Sequence, residues 1–142
     1  MKRIVPVARS LLGLAFVVFS VNYFVPFLPQ HMPPPDALAF VLAFKGAGLL
    51  TFIKAIELVA GLALIANVAP ALAATLLAPI IVGIVWFHGA LAPEGLPIAL
   101  FLLVLELVVA WGYRAAFAPM LRVRVAATTT EATPTLVART AP

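Results

Sequence analysis

The sequence contains no cysteine, which removes disulfide frameworks, thiolate metal sites and cysteine nucleophiles together. Charge is scarce: 10% of residues are Asp, Glu, Lys or Arg, against about 25% in a soluble globular domain. The two histidines are His31, in a proline-rich segment, and His88, at the end of an apolar run. That placement fits no usual axial-ligand spacing for haem, and it signals no zinc site. There is no Ser-His-Asp order with a nucleophile elbow and no glycine loop to cradle a phosphate. A stand-alone enzyme is therefore the least favoured class, with no catalytic residue to nominate.

What the chain has is apolar length. It is 65% hydrophobic with a mean hydropathy of +1.19, where soluble domains average about 45–50% apolar. Its 142 residues fit one domain. The net charge of +4 does not indicate nucleic acid, because the basic residues gather toward the chain ends, where membrane proteins carry their anchors. The expected partner is the lipid bilayer.

A helical span needs roughly 20 predominantly apolar residues. Four segments qualify, at about 4–28, 48–68, 71–90 and 96–116. Their apolar runs are continuous rather than alternating, which disfavours a barrel. Pro70 and Pro97 fall at the starts of the third and fourth spans, where a missing N–H is tolerated. Pro79 lies inside the third span and predicts a kink. The expected class is an all-α, polytopic four-helix bundle. A short amphipathic helix, "DALAFVLAFK", is expected between spans one and two, capped by Asp36, with Phe40 and Phe44 on one face. The first span reads as retained rather than as a cleaved signal, because its apolar core is too long. The four-helix domain is taken as 1–117. The polar stretch 118–142 reads as a disordered cytoplasmic tail. There is no convincing internal repeat.

Lys2, Arg3 and Arg9 precede or open the first span, and Arg114, Arg122, Arg124 and Arg139 follow the last. Four spans put both ends of the chain on one side, so this bias places both termini in the cytoplasm. Trp111 and Tyr113 are then inner-interface anchors and Trp86 an outer one, and Glu94 is a solvated loop residue.

With that orientation, residue counts give depths. Counting from the outer ends of their spans, Lys54 lies roughly 9 Å down, Glu57 roughly 14 Å and Glu106 roughly 15 Å. Asn22 and Tyr23 occupy the outer half of the first span, and His88 ends the third. A charged group at mid-helix costs about 2.5–3.5 kcal/mol on insertion scales. Asn22, Tyr23, Lys54, Glu57, His88 and Glu106 are therefore expected to converge in one intramembrane polar pocket open to the outer face. Lys54 and Glu57 can pair at i,i+3. Glu106 has no dedicated cation in sequence; it can share Lys54, bond to His88 or Tyr23, or hold a proton. The competing reading is that these groups only glue helices, at about 0.6 kcal/mol each. Asn22 fits that role as an interhelical hydrogen bonder, and His88 fits that of a solvated side chain.

Three stretches, "ARSLLGLAFVVFSVNYFVPFLP" (8–29), "IKAIELVAGLALIANVAPALAATLLAPIIVGIVWFH" (53–88) and "ALFLLVLELVVAWGYRAAF" (99–117), resemble the DoxX family of small bacterial four-helix membrane proteins. The most telling piece is an acidic E-x-x-(A/G)-G motif, here Glu57, Ala60 and Gly61. Many members carry a lysine near the end of the first span, where this chain has Tyr23. The resemblance implies a bacterial inner-membrane bundle. Some relatives are membrane partners of quinone-linked sulfur oxidation or of terminal oxidases, and others belong to oxidative-stress complexes. The leading expectation is thus a non-catalytic accessory subunit of a quinone-linked redox or oxidative-stress system. Quinone is the candidate cofactor, with redox-complex subunits or second copies of the chain as partners. The alternatives are a small oligomeric proton or solute transporter or channel subunit, and a structural membrane scaffold.

Overall fold

The computed structural model describes residues 3–29 and 32–119. The readings placed on Lys2, His31 and nearly all of the 118–142 tail lie outside the described residues. The described chain is helical and runs as α1 (Ile4–Phe24), α2 (Pro35–Gly46), α3 (Leu49–Ala66), α4 (Pro70–Ala90), a 3-10 turn (Pro93–Gly95), α5 (Leu96–Gly112) and α6 (Arg114–Phe117). Four segments are long and apolar enough to cross a membrane: Ile4–Phe24, Leu49–Ala66, Pro70–Ala90 and Pro93–Gly112. The chain is an all-α, membrane-embedded four-helix bundle.

Helix ends follow local chemistry, and three of them depart from the sequence expectation. The first helix stops at Phe24 rather than near Leu28 because Val25 precedes Pro26, and a residue before proline is steered out of the helical region. Val25 is extended (φ −131°, ψ 92°). The Asn22 side chain then accepts the N–H groups of Phe27 at 3.0 Å and Leu28 at 2.8 Å, fastening the turn. At α2 the Asp36 side chain does not cap. Pro34 occupies the cap position and Pro35 opens the helix, so the missing proline N–H removes a donor that would otherwise need capping. Asp36 remains in the first turn, where an anion favours the helix dipole. The last span breaks at Gly112–Tyr113 instead of continuing to 116. Gly112 is a poor helix former, and Tyr113 leaves helical geometry (φ −100°, ψ 16°) before α6 begins.

The expected positions of Pro70 and of the Phe40–Phe44 face hold. Pro70 opens α4, following Asn67 and Ala69, both in the left-handed region at φ 57° and 42°. Pro79 sits inside α4 on its exposed side, and the helix continues through it. Phe40 and Phe44 share a face of α2, with ring centroids 4.5 Å apart. Phe40 also lies 5.7 Å from Phe87 and 6.2 Å from Trp86, so α2 leans its aromatic face on the end of α4.

The four long helices close a ring, with α1 and α4 each packed against both α3 and α5. α1 and α3 run antiparallel: Arg9 meets Leu64, Gly13 meets Gly61 and Tyr23 meets Thr51. The core is aliphatic with one aromatic, built on Leu12, Phe16, Leu64, Leu77, Ile81 and Val109. Large apolar side chains such as Leu14, Val59, Val82 and Leu107 face outward. That pattern suits a lipid solvent, in which an apolar exterior carries no penalty.

Candidate functional site

The seam between α1 and α3 carries most of the buried polar chemistry. Lys54 and Glu57 lie three residues apart and therefore on one face of α3. Their side chains pair, Lys54 Nζ to Glu57 Oε2, at 2.7 Å. The pair is asymmetric in burial: the Glu57 side chain is 2% exposed and that of Lys54 19%. The long lysine stem lets its ammonium lie toward the rim while the carboxylate stays inside. Ser20, fully buried on α1, donates to the same Glu57 oxygen at 3.3 Å. Glu57 is thus held by a cation from its own helix and a hydroxyl from the next.

One turn from Lys54 toward the α2 end of the bundle, Tyr23 Oη and Thr51 Oγ1 share a hydrogen bond of 2.7 Å. Lys45 Nζ lies 5.9 Å from the Tyr23 ring centroid. A strip of polar groups therefore descends this seam from Lys45 through Tyr23, Thr51 and Lys54 to Glu57 and Ser20. Below it the seam becomes dry and tight at Gly13 and Gly61.

The remaining members of the expected pocket lie elsewhere. Asn22 is engaged in fastening the end of α1 and does not bond across to another helix. His88 Nδ1 is 3.0 Å from the Ala92 carbonyl oxygen. A carbonyl only accepts, so Nδ1 carries the hydrogen of this bond. The His88 ring packs directly over Gly95: a Cβ there would fall 2.2 Å from two ring atoms. Beside them, at the α2 end, is a cavity of about 330 Å³ walled by Pro33, Val41 and Phe87 together with His88, Glu94 and Gly95. Glu106 is 5% exposed and shares the inward face of α5 with Ala99, Leu102 and Val109. Its Oε2 is buried and has no hydrogen-bond partner among the described residues. No bond joins it to Lys54, His88 or Tyr23. The six residues consequently resolve into one ion pair with Tyr23 a turn away, one helix-end fastener, one cavity histidine and one solitary carboxyl.

Three contacts have no forecast in the sequence. Ser20 is the first. Its only signal is a small polar residue continuing the Gly13, Phe16 stripe of α1. Arg9 is the second. Read from sequence as a topology marker, it donates through its guanidinium to the Leu64 carbonyl at 2.5 Å. Leu64 lies in the last turn of α3, where its carbonyl also accepts the Asn67 N–H at 3.2 Å, so the guanidinium adds a second, charged donor. Arginine at a helix C-terminus also opposes the dipole favourably. Tyr113 is the third. Its hydroxyl donates to Asn67 Oδ1 at 3.0 Å, tying the end of α5 to the α3–α4 turn. Trp86 and Trp111 are 59% and 63% exposed, as membrane-facing anchors require.

Among the described residues no three His, Asp or Glu side chains gather closely enough to hold a metal ion. What the seam can do chemically is fix an anion at Glu57. What α5 can do is present a carboxyl with one buried oxygen unpartnered among the described residues. No family model, no curated protein and no solved structure matches the chain.

Proposed function

We propose that the chain is a DoxX-like bacterial inner-membrane protein with both termini in the cytoplasm. In this reading it is a non-catalytic accessory subunit of a quinone-linked redox or oxidative-stress system. The observation that carries the reading is the burial of two carboxyls, Glu57 at 1% and Glu106 at 5% exposure, in an otherwise apolar core. Aliphatic side chains pack such a core without penalty, whereas each mid-helix charge costs about 2.5–3.5 kcal/mol on insertion scales. Ionisable groups kept there despite that cost are working groups by default. The two divide the labour. Glu57, held by Lys54 and Ser20, is a fixed anion. Glu106, with an unpartnered oxygen, is the group free to exchange a proton or to bond a ligand.

The cavity beside His88 supports the same reading. Its volume of about 330 Å³ falls at the small end of ligand sites, which run from roughly 300 to 1,000 Å³. It offers apolar walls, one imidazole and the Glu94 carboxylate, polar groups to meet the edge of a flat quinone ring. Electrons would come from a partner subunit, with His88 and Glu94 as the polar groups at the cavity and Glu106, deeper along α5, as the group to carry a proton inside the bundle. Among the described residues Arg3, Arg9 and Arg114 lie toward one end of the bundle and Lys45 at the other, which supports cytoplasmic termini.

The test is a titration of the delipidated protein with ubiquinone and menaquinone analogues, followed by tryptophan quenching, paired with deletion of the gene in its host. Saturable quenching and a redox or oxidative-stress defect are expected. Absence of both eliminates the redox reading.

A further inference from the structure

At the end of the bundle that begins with Arg3, a groove of about 350 Å³ runs between α1 and α5 on the outside of the molecule. Ile4, Val7 and Leu11 wall one side and Leu105 and Val108 the other, with Arg3 at its end. Ile4, Val7 and Leu11 are all exposed, so the groove opens to the surrounding lipid rather than to the core. From Ile4 to Leu11 the groove runs roughly 10 Å along α1, about a third of a hydrocarbon core of about 30 Å.

Among the described residues the charge around it has one sign. The Arg3 side chain makes no hydrogen bond or ion pair with a described residue. Of the described acids, Asp36 and Glu94 lie at the opposite end, and Glu57 and Glu106 are buried. Of the other described cations toward this end, Arg9 donates to the Leu64 carbonyl, and Arg114 donates to the Trp111 carbonyl at 3.1 Å with its guanidinium 5.2 Å from the indole. Among the described residues Arg3 is therefore a cation with no acid beside it, placed at the end of an apolar furrow.

We propose that this groove seats one acyl chain of an anionic phospholipid whose phosphate rests on Arg3. A zwitterionic lipid would fill the furrow equally well, but its headgroup brings no net charge to Arg3. The preference for an anionic headgroup comes from that one cation, and the seat comes from the aliphatic walls.

The test uses the full chain reconstituted in vesicles of equimolar phosphatidylglycerol and phosphatidylcholine, extracted in mild detergent, with retained lipids counted by native mass spectrometry. The wild type is expected to retain phosphatidylglycerol about fivefold over phosphatidylcholine, the scale set by one basic residue near an anionic surface. Arg3→Gln should bring the ratio to parity. Val7→Trp, which fills the furrow, should lower the retained count of both lipids. Arg114→Gln should leave the ratio unchanged, and circular dichroism confirms helicity in each variant. Parity in the wild type, a persisting preference in Arg3→Gln, or an equal loss in Arg114→Gln overturns the proposal.

Discussion

Gly13 of α1 and Gly61 of α3 meet backbone against backbone. A Cβ at Gly13 would fall 2.7 Å from the Gly61 carbonyl oxygen, and one at Gly61 would fall 2.9 Å from the Gly13 oxygen. The obstacle in both directions is main chain, which cannot swing aside as a side chain can. This close approach brings α1 and α3 near enough for Ser20, about two turns from Gly13, to reach Glu57, about one turn from Gly61. In lipid, where no hydrophobic force drives helices together, small residues at such contacts are the usual means of association.

Gly61→Leu should therefore force α1 and α3 apart. Overpacking of a tight contact typically costs about 1–3 kcal/mol, and a backbone obstacle puts this case at the upper end. Unfolding in mixed micelles would read the loss. Because the seam must widen, the Ser20–Glu57 bond should break in the same variant.

Lys54→Met leaves the Glu57 carboxyl buried without its cation. Removing one partner of a buried pair costs about 3–5 kcal/mol. The partial exposure of Lys54 places this variant near the low end. The double variant Lys54→Met/Glu57→Leu should recover most of that loss, since no uncompensated charge remains. Ser20→Ala should cost only about 0.6 kcal/mol, the scale of a single hydrogen bond inside a membrane bundle. The same unfolding assay ranks the three.

How much of this was readable in the amino-acid order depends on whether the relevant partner is near in sequence. The spans were legible because hydrophobic length is local, and Lys54–Glu57 was legible because three residues bring side chains to one helix face. Counting residues also gives depth, which is why Asn22, Tyr23, His88 and Glu106 were all expected at one pocket. Depth does not give direction around the helix axis. Asn22 is drawn to its own chain end because Pro26 bends Val25 out of the helix. His88 is held by Ala92, in the turn after α4. Ser20 and Arg9 escaped notice because their partners, Glu57 and Leu64, lie on another helix, and only the packed bundle sets those registers. The α2 cap was misread because Asp36 fits an N-cap position by type, while Pro35 fixes where the helix begins.

Gly95→Ala should displace the His88 ring, since the new methyl would occupy ring-atom space. Loss of the His88–Ala92 bond is expected, at about 1 kcal/mol in stability. The Nδ1 resonance in a ¹⁵N-histidine NMR spectrum should move. An unmoved resonance would show that the turn, rather than the ring, gives way.

Arg9→Met removes the charged donor from the Leu64 carbonyl in the last turn of α3, leaving that oxygen the Asn67 N–H at 3.2 Å. Hydrogen bonds from charged groups contribute about 1.5–3 kcal/mol, so amide exchange in the last turn of α3 should accelerate at least tenfold. Exchange in the middle of α3, where every carbonyl has its helical donor, should change little.

Whether Glu106 is retained for what it does or for how it packs is the central question. The measurement that separates these is Glu106→Gln, scored in parallel for micellar unfolding and for complementation of the redox or oxidative-stress defect of the host deletion strain. Glutamine keeps the shape and removes the ionisable proton. Stability unchanged within about 0.5 kcal/mol, the usual range for a change that breaks no existing bond, and failure to complement are expected. A variant that loses stability while complementing as the wild type does would contradict the role of Glu106 as a working group.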